Sequence, residues 1–358
     1  MQAISRGNIL KSVGKLIIYA PGVHLGGGEV LLKSLLASLP SEMQVSAYLD
    51  GRARSRLEVG SNVEVIWINQ SLIGRLISES MLSFATDKNT NVLCLHGLPP
   101  LFINVGQVSI FILNRILLSD IAIGGLNFRT KIRCFLERSL LLLRNKTDFL
   151  YYVHTESAKA DLIKTIPKIA SDAVAVTPLV ANLPEIRCSS KADKRFDFFY
   201  PCHGEGHKNH FRLIDSWVVL AHKGHFPTLA LTLGHEYKQQ IDYMTTAVEE
   251  HGIKITNLDN QPHAEIMSLY KESRALIFPS LVEAYGLPLI EAQLSGLPIL
   301  AGELDFVRDI CDPAETFDVF SELSISRAVE RFLYSKKNTH QSISADQFWS
   351  IYQHTGKL

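Results

Sequence analysis

FPSLVEAYGLPLIEAQLSGLPIL, residues 278–300, is the stretch of sequence that decides the fold of this chain. The apolar run 275–280 predicts a buried strand, and residues 287–295 predict the helix that follows it. Pro288 lies near the first position of that helix, where a proline is tolerated, and Gly296 suits its end. The loop between the two elements therefore lies at the carboxyl end of a strand, where parallel α/β sheets bind ligands.

The start of this helix predicts a site for an anion. The N–H groups of Gly286, Leu287 and Leu289 are expected to lack a partner within the helix, at the positive end of its dipole. A diphosphate would bind there. Glu283 and Glu291 bracket the position with seven residues between them. Their carboxylates could accept hydrogen bonds from the vicinal hydroxyls of sugar rings; alternatively, Glu283 is solvated and Glu291 merely favours the helix start.

This segment resembles the signature of the family 4 retaining glycosyltransferases of the GT-B fold. The matching positions are Pro279, Ser280, Glu283, Gly286, Leu287, Pro288, Glu291 and Ala292. The chain departs from the family at Ala284 and Tyr285, where Gly-Phe is usual. By this resemblance, Glu283 would contact the donor sugar and Glu291 the ribose hydroxyls of the nucleotide. Tyr285, Gly286 and Leu287 would belong to the same donor site.

HGEGHKNHF, residues 203–211, is the second segment that resembles this family. The family places here a basic residue that reaches the donor phosphates, and Lys208 matches it. Its ammonium would offset charge on the leaving diphosphate without a metal ion. Many relatives also carry an arginine where this chain has 200–202, Tyr-Pro-Cys. His203 or His207 would then be the substitute for the second phosphate ligand.

Three histidines in this segment, at 203, 207 and 210, could alternatively hold zinc. No neighbouring cysteine or carboxylate completes a ligand set, however. The chain also lacks the Asp-x-Asp pair of metal-dependent transferases with the other common fold. We therefore predict no metal and no cofactor beyond the nucleotide diphosphate sugar, which is a substrate.

Alternation of strands and helices along the whole chain predicts two α/β domains. The polar segment 181–195 lacks apolar periodicity and is interpreted as the linker. We expect two Rossmann-like domains of the GT-B fold facing across a cleft: an acceptor-side domain over 1–187 and a nucleotide-sugar domain over 188–335. Residues 336–358 are expected to form a tail helix that, as is common in this fold, crosses back to the first domain.

A glycine-rich turn, HLGGGEV at 24–30, precedes the predicted helix 29–39. Gly27 and Gly28 allow close approach of a ligand and positive φ angles, and the family has a comparable loop facing the donor diphosphate. The alternative is an ordinary tight turn. A dinucleotide-dependent dehydrogenase is a rival interpretation, with Asp50 as the acid that holds a ribose. His96 follows a predicted strand and could line the cleft between the domains, whereas His154 ends a predicted strand. We expect both histidines to have packing roles.

Residues 129–146, RTKIRCFLERSLLLLRNK, predict an amphipathic helix. Its apolar stripe consists of Ile132, Phe135, Leu136, Ser139, Leu140 and Leu143, and the flanking cations are Arg129, Lys131, Arg133, Arg138 and Arg144. One interpretation is a core helix whose basic side chains extend along its edges. The other is a surface that contacts anionic membrane and brings the enzyme to a lipid-linked acceptor.

Composition narrows the class of protein. Lysine plus arginine equals aspartate plus glutamate at 36 each, which removes the bulk electrostatic argument for a nucleic-acid partner. Five cysteines without a C-x-x-C pair indicate a reducing compartment. No apolar run is long enough to span a bilayer. We therefore expect a cytoplasmic protein, peripheral at most to the inner face of the membrane.

The resemblance to this family implies a retaining hexosyltransferase. We expect it to transfer the hexose to a glycan acceptor, lipid-linked, in surface polysaccharide synthesis. The HKNH element resembles transferases that use mannose-like sugars, which makes GDP-mannose the first candidate donor. Alternatives are a sugar-nucleotide 2-epimerase of the same fold and a non-catalytic nucleotide-sugar-binding subunit.

Overall fold

The computed structural model describes residues 15–102, 105–118, 128–146, 148–166, 168–179 and 194–334, without the side chains of 72 and 128–130. These ranges form two α/β domains, each built on one parallel sheet. The predicted α/β class with two Rossmann-like domains is confirmed. The predicted linker falls mostly outside the described residues, as do the domain boundary at 187/188 and the tail helix 336–358.

The N-terminal domain contains a seven-stranded parallel sheet in the order β3-β2-β1-β4-β5-β6-β7. Its strands are β1 (Leu16–Ala20), β2 (Val45–Asp50), β3 (Val63–Ile68), β4 (Asn91–Cys94), β5 (Gln107–Phe111), β6 (Leu150–Val153) and β7 (Val174–Val176). Its helices are α1 (Gly26–Ala37), α2 (Leu72–Ala85), α3 (Phe128–Arg144) and α4 (Glu156–Thr165). The strand order reverses between β1 and β4, and this reversal creates a crevice at their carboxyl ends.

Helices cover both faces of this sheet. Leu32 and Leu36 of α1 join the apolar cluster on one face, together with Ile18 of β1. Side chains of α2, α3 and α4 join the cluster on the other face: Leu82, Leu141 and Leu162. Right-handed crossovers explain this division, because α1 leads the chain toward β2 and the later helices lead it the opposite way.

The C-terminal domain contains a six-stranded parallel sheet in the order β10-β9-β8-β11-β12-β13. Its strands are β8 (Phe196–Tyr200), β9 (Thr228–Leu231), β10 (Lys254–Asn257), β11 (Ser273–Phe278), β12 (Ile299–Gly302) and β13 (Glu315–Phe317). Its helices are α5 (His210–His222), α6 (Lys238–His251), α7 (His263–Glu272), α8 (Leu287–Leu294), α9 (Asp305–Arg308) and α10 (Glu322–Tyr334). The order reverses between β8 and β11, so this domain has its own crevice beside those two strands.

The strand predicted at 275–280 and the helices predicted at 287–295 and 129–146 lie within a few residues of β11, α8 and α3. Helices α2, α4 and α10 and strands β5, β7 and β13 were not predicted, and the three strands are short and carry no clear periodicity. Helix α1 begins at Gly26 rather than Glu29, so the three glycines form its first turn instead of a preceding loop. Of these, Gly26 alone has a positive φ, 62°.

The interpretation of α3 as a core helix is wrong, because it required the apolar stripe to be buried and the stripe is exposed. Phe135 is 70% exposed and Leu143 79% exposed, while the buried side carries Cys134 and Leu141. Ile132, Leu136 and Leu140 are exposed as well. No helix in the described part of the chain is long and apolar enough to cross a membrane.

A candidate active site between the two sheets

A cleft of about 1170 Å³ lies between the two domains. Its walls include the first turn of α1, the segment 201–208 after β8, and the loop 282–288 after β11. These segments follow β1, β8 and β11, which are strands at the two points where the strand order reverses. The topology thus brings the three sequence-predicted segments together at the position where open α/β sheets bind ligands.

The start of α8 contributes the predicted anion site, with one correction. Gly286 precedes the helix with φ 64°, a left-handed conformation that glycine adopts without strain. Leu289 donates its N–H to the carbonyl of Gly286 at 2.9 Å, so this group is not available to a ligand. Pro288 has no N–H. The N–H groups of Gly286 and Leu287 are therefore the two predicted donors at the helix start that could still bind a phosphate.

Lys208 and Glu283 form an ion pair at 2.6 Å, and both side chains are mostly buried. Burial by itself would lower the pKa of the Lys208 ammonium, but the Glu283 carboxylate raises it above its usual value. Burial likewise tends to raise the pKa of Glu283, and Lys208 lowers it below its usual value. The site therefore contains a charged pair rather than two neutral groups, beside the start of α8.

Two hydrogen bonds of Tyr200 connect the loops that hold this pair. The Tyr200 hydroxyl lies 2.8 Å from the carbonyl oxygen of Lys208 and 2.8 Å from Oγ of Ser280. Leu281 also donates its N–H to the carbonyl of His207 at 2.8 Å. These bonds join the segment after β8 to the loop after β11, and they fix the positions from which Lys208 and Glu283 meet.

Glu291 is buried on α8, and each of its carboxylate oxygens has a protein partner. Nε2 of His263 lies 2.8 Å from Oε1, and the hydroxyl of Tyr270 donates to Oε2 at 3.0 Å. Both partners belong to α7. The hydrogen bond to Glu291 raises the pKa of His263. The simple alternative of a carboxylate that only favours the helix start does not account for these contacts.

The glycines of α1 approach the C-terminal domain closely. A Cβ atom on Gly27 would lie 3.0 Å from Cδ1 of Leu287, at the start of α8. A Cβ atom on Gly26 would lie 3.9 Å from the ring of His203. The equivalent atom on Gly28 would instead contact Val23 of its own domain, at 3.4 Å. Gly27 is thus the glycine that needs to lack a side chain for α1 to approach the predicted anion site.

Tyr285 lies at the contact between the two domains. Its ring stacks on His154, with centroids 4.1 Å apart and planes 12° from parallel. His154 is buried, as its predicted packing role requires, and burial lowers its pKa to about 4. His96 packs edge-on against Tyr19, with centroids 5.4 Å apart, which also fits a packing role.

The three histidines of the segment after β8 do not converge. His210 is buried against Tyr200, whereas His203 faces Tyr237 and Gly26. Within the described ranges, no three side chains of histidine, cysteine, aspartate or glutamate are placed to hold a metal ion. The zinc interpretation of these histidines therefore has no geometric support in this part of the chain.

Asp50, the acid of the dehydrogenase interpretation, is already bound. Its carboxylate accepts hydrogen bonds from the N–H of Gly22 at 2.9 Å and from the guanidinium of Arg52 at 2.8 Å. Burial would raise the pKa of Asp50, but Arg52 and the backbone donors lower it to about 2. The carboxylate stabilises the turn after β1 instead of facing the cleft with open acceptor sites.

Several residues at this site were not predicted from the sequence. His263 and Tyr270 contact Glu291, and Arg115 lines the cleft while its guanidinium pairs with Asp161 at 2.7 Å. No sequence motif identifies these three residues. His263 and Tyr270 are seven residues apart, two turns of α7, and this spacing is the one sequence signal that places both on the same face of a helix.

Residues 184–347 match the family described as "Glycosyl transferases group 1". The sequence-based identification is confirmed at this level for the C-terminal domain. Similarity to curated proteins is confined to a short segment. The serotype-specific mannosyltransferase WbdA of Escherichia coli is 31% identical over 106 residues, which are 29% of this chain and 13% of that protein. The matched segment thus spans about one-eighth of that relative.

Two solved structures illustrate the likeness in fold. Anabaena HepE in complex with UDP and glucose has a TM-score of 0.65 at 12% identity, with 90% of each chain covered. WaaG, described as a glycosyltransferase involved in lipopolysaccharide biosynthesis, has a TM-score of 0.58 at 14% identity, also with 90% of each chain covered. At these identities the comparison establishes the GT-B fold.

Proposed function

We propose that this chain, whose C-terminal domain is that of a group 1 glycosyltransferase, moves a hexose from a nucleotide diphosphate sugar to a glycan. The observation that carries the proposal is the Lys208–Glu283 pair beside the start of α8. A cation and a helix N-terminus face one region of the cleft, as a leaving diphosphate requires. Membership of the family 4 subdivision, retention of configuration and metal independence belong to the same proposal.

In the proposed reaction, the N–H groups of Gly286 and Leu287 bind the donor diphosphate and Lys208 offsets its growing charge. The bond between the anomeric carbon and the diphosphate oxygen breaks, and a bond from the acceptor oxygen to that carbon forms. The acceptor proton passes to the departing diphosphate on the same face, so configuration is retained. Glu283 contacts the donor sugar, and the scheme needs no separate protein base.

Donor and acceptor are inferred from chemistry and from relatives. WbdA is named a mannosyltransferase, which with the HKNH element makes GDP-mannose the first donor to test. HepE was solved with UDP and glucose, so UDP-glucose is the second. WaaG is named for lipopolysaccharide biosynthesis. These names support a glycan acceptor of surface polysaccharide synthesis. That the acceptor is lipid-linked and is reached at the cytoplasmic face of the membrane is part of our proposal.

Peripheral contact with that membrane is also proposed, and α3 supports it together with α2. Phe84 of α2 is 92% exposed, and Ile73, Leu76, Ile77 and Met81 on the same helix are exposed. Loop 98–102 is hydrogen-bonded to both helices. Glu79 of α2 accepts the N–H of Leu101, and Arg144 of α3 donates to the carbonyl of Pro100. The exposed apolar sides of α2 and α3 are called the α2–α3 face below.

Thermal unfolding with a set of nucleotides tests the donor site. GDP, UDP and ADP are each added to the wild type, with and without excess EDTA, and the melting temperature is recorded. A nucleotide at 100 times its Kd stabilises the folded state by about 2.7 kcal/mol. We expect GDP or UDP to raise the melting temperature in EDTA. A chain that none of the three stabilises would contradict the donor site.

Turnover then separates the proposed function from its alternatives. A sugar-nucleotide 2-epimerase would change the sugar of the donor without an acceptor, and a non-catalytic subunit would bind the nucleotide without consuming the donor. The proposed transferase consumes the donor only when an acceptor glycan is present, apart from slow hydrolysis.

A further inference from the structure

The contacts of Glu291 suggest a role for a residue outside the family signature. The proposed function assigns Glu291 to the ribose hydroxyls of the donor. A carboxylate has about four positions at which it can accept a hydrogen bond. His263 and Tyr270 occupy one on each oxygen. One position per oxygen then remains, which matches two vicinal hydroxyls.

The two partners hold the carboxylate from opposite sides. Tyr270 is completely buried, and its hydroxyl also lies 3.3 Å from the carbonyl of Pro288. It fixes Glu291 from the protein core. His263 is the first residue of α7, lines the cleft, and leaves about 40% of its side chain exposed. It is therefore the partner on the side from which a nucleotide enters.

The surroundings of His263 contain one further charge that acts on its ring. Glu291 raises the pKa of His263, and Lys33 of α1, across the cleft, has a smaller lowering effect. Lys33 itself pairs with Glu29 at 3.0 Å. Glu291 thus has a larger electrostatic effect on His263 than Lys33 has. A ligand in the cleft would meet His263 hydrogen-bonded to Glu291.

We propose that His263 is a positioning residue that fixes the Glu291 carboxylate for the two hydroxyls of the donor ribose. The inference rests on the proposed function, because it presupposes that a ribonucleotide occupies the cleft. An unrestrained glutamate would lose side-chain freedom when it binds ribose. A carboxylate held in advance by Tyr270 and His263 has already lost that freedom, which favours binding. His263 acts through Glu291 and needs no contact with the nucleotide.

A chemical double-mutant cycle tests this role. Binding of GDP and of 2′,3′-dideoxy-GDP is measured by calorimetry for the wild type, His263→Ala and His263→Gln, or with the UDP pair if UDP stabilises the wild type better. His263→Ala should weaken binding of the ribonucleotide about tenfold and that of the dideoxy analogue less than twofold. His263→Gln, which can still donate a hydrogen bond, should recover much of the loss.

A matched control and a second cycle separate the possible outcomes. His225→Ala removes another exposed histidine near a glutamate, Glu330 at 3.6 Å, outside this cleft, and should change neither affinity. In the Glu291→Gln background, His263→Ala should add little further loss if it acts through Glu291. Equal losses for both nucleotides, or fully additive losses in the double variant, would overturn the role of His263. A wild type that binds neither ribonucleotide would instead overturn the proposed function.

Discussion

At the scale of single residues, the two glutamates of the signature should fail in different ways. Glu291→Gln should weaken binding of the free nucleotide diphosphate, because Glu291 is assigned to ribose. Glu283→Gln should mainly lower kcat, because Glu283 is assigned to the donor sugar and is the partner of Lys208. Steady-state kinetics and calorimetry measure the two effects. If both variants kept wild-type kinetics, the assignment of the active site would have no basis.

The ion pair makes a separate prediction about Lys208. Lys208→Ala should raise the barrier by about 2.7–4 kcal/mol, as expected for the loss of one preorganised donor. The change also leaves the mostly buried Glu283 carboxylate without its cation, so the variant should unfold at a lower temperature. The pKa of Glu283 should then rise, because Lys208 is the main group that lowers it.

The double variant Lys208→Ala/Glu283→Gln provides the control for this prediction. It removes both charges, so its melting temperature should recover toward that of the wild type while its activity stays low. Recovery of activity together with stability would mean that Lys208 acts only by neutralising Glu283 and has no role at the diphosphate.

At the scale of elements, the first turn of α1 depends on a missing side chain. Gly27→Ala places a Cβ atom 3.0 Å from Cδ1 of Leu287, so that the Leu287 side chain or α1 has to shift by a few tenths of an ångström. We expect weaker nucleotide binding with little change in melting temperature, since alanine is well tolerated in a helix. Gly28→Ala is the matched comparison, because its Cβ atom would meet Val23 at an ordinary contact distance. An equal effect of both variants on nucleotide affinity would contradict the assigned contact.

The α2–α3 face makes a prediction at the same scale. Wild-type protein should co-sediment with vesicles of anionic lipid at low salt, and less so at 1 M salt, where the Debye length is ~3 Å. The triple variant Phe84→Ser/Phe135→Ser/Leu143→Ser should stay in the supernatant and keep its nucleotide affinity. Phe226→Ser/Phe320→Ser, which removes two exposed apolar side chains of the other domain, should bind vesicles like the wild type.

Failure of the wild type to bind vesicles at low salt would contradict the proposed contact of the α2–α3 face with membrane.

The cationic part of the attraction is smaller than five basic residues would give. Arg144 donates to the Pro100 carbonyl, and Arg133 lies 3.8 Å from Glu137. Each basic residue near an anionic surface contributes about 1 kcal/mol to membrane binding. Because few of the five are available, loss of the apolar side chains should reduce vesicle binding more than high salt does.

Helices and strands could be predicted where the sequence carries local signals. Contacts between residues that are distant in the sequence could not. Pro288, Gly296 and the apolar run before them fix the strand, loop and helix around Glu283 by local rules. The pairing of Lys208 with Glu283 joins residues 75 positions apart, and no local rule predicts it. The stripe on α3 was recognised, but periodicity cannot tell whether an apolar face meets a core or solvent.

At the scale of the whole molecule, the two strand-order reversals place the site. Each sheet opens a crevice at one end, and the cleft is bounded by the segments that follow β1, β8 and β11. The domains also meet beyond the cleft, where Asp309 of the C-terminal domain accepts the N–H of Ser157 at 3.1 Å. The nucleotide-sugar donor can therefore contact both domains at once only if the N-terminal and C-terminal domains lie close to each other across the cleft.

The most direct test of the proposed function is sugar transfer in the absence of divalent ions. Radiolabelled GDP-mannose and UDP-glucose are each incubated with the chain, lipid-linked glycans and excess EDTA, and label in the glycan fraction is counted. The proposed function predicts transfer from one donor by the wild type, unchanged by EDTA, and transfer lowered by about 10²–10³ in Lys208→Ala. Nucleotide binding without transfer from either donor, or transfer that EDTA abolishes and a divalent ion restores, would contradict it.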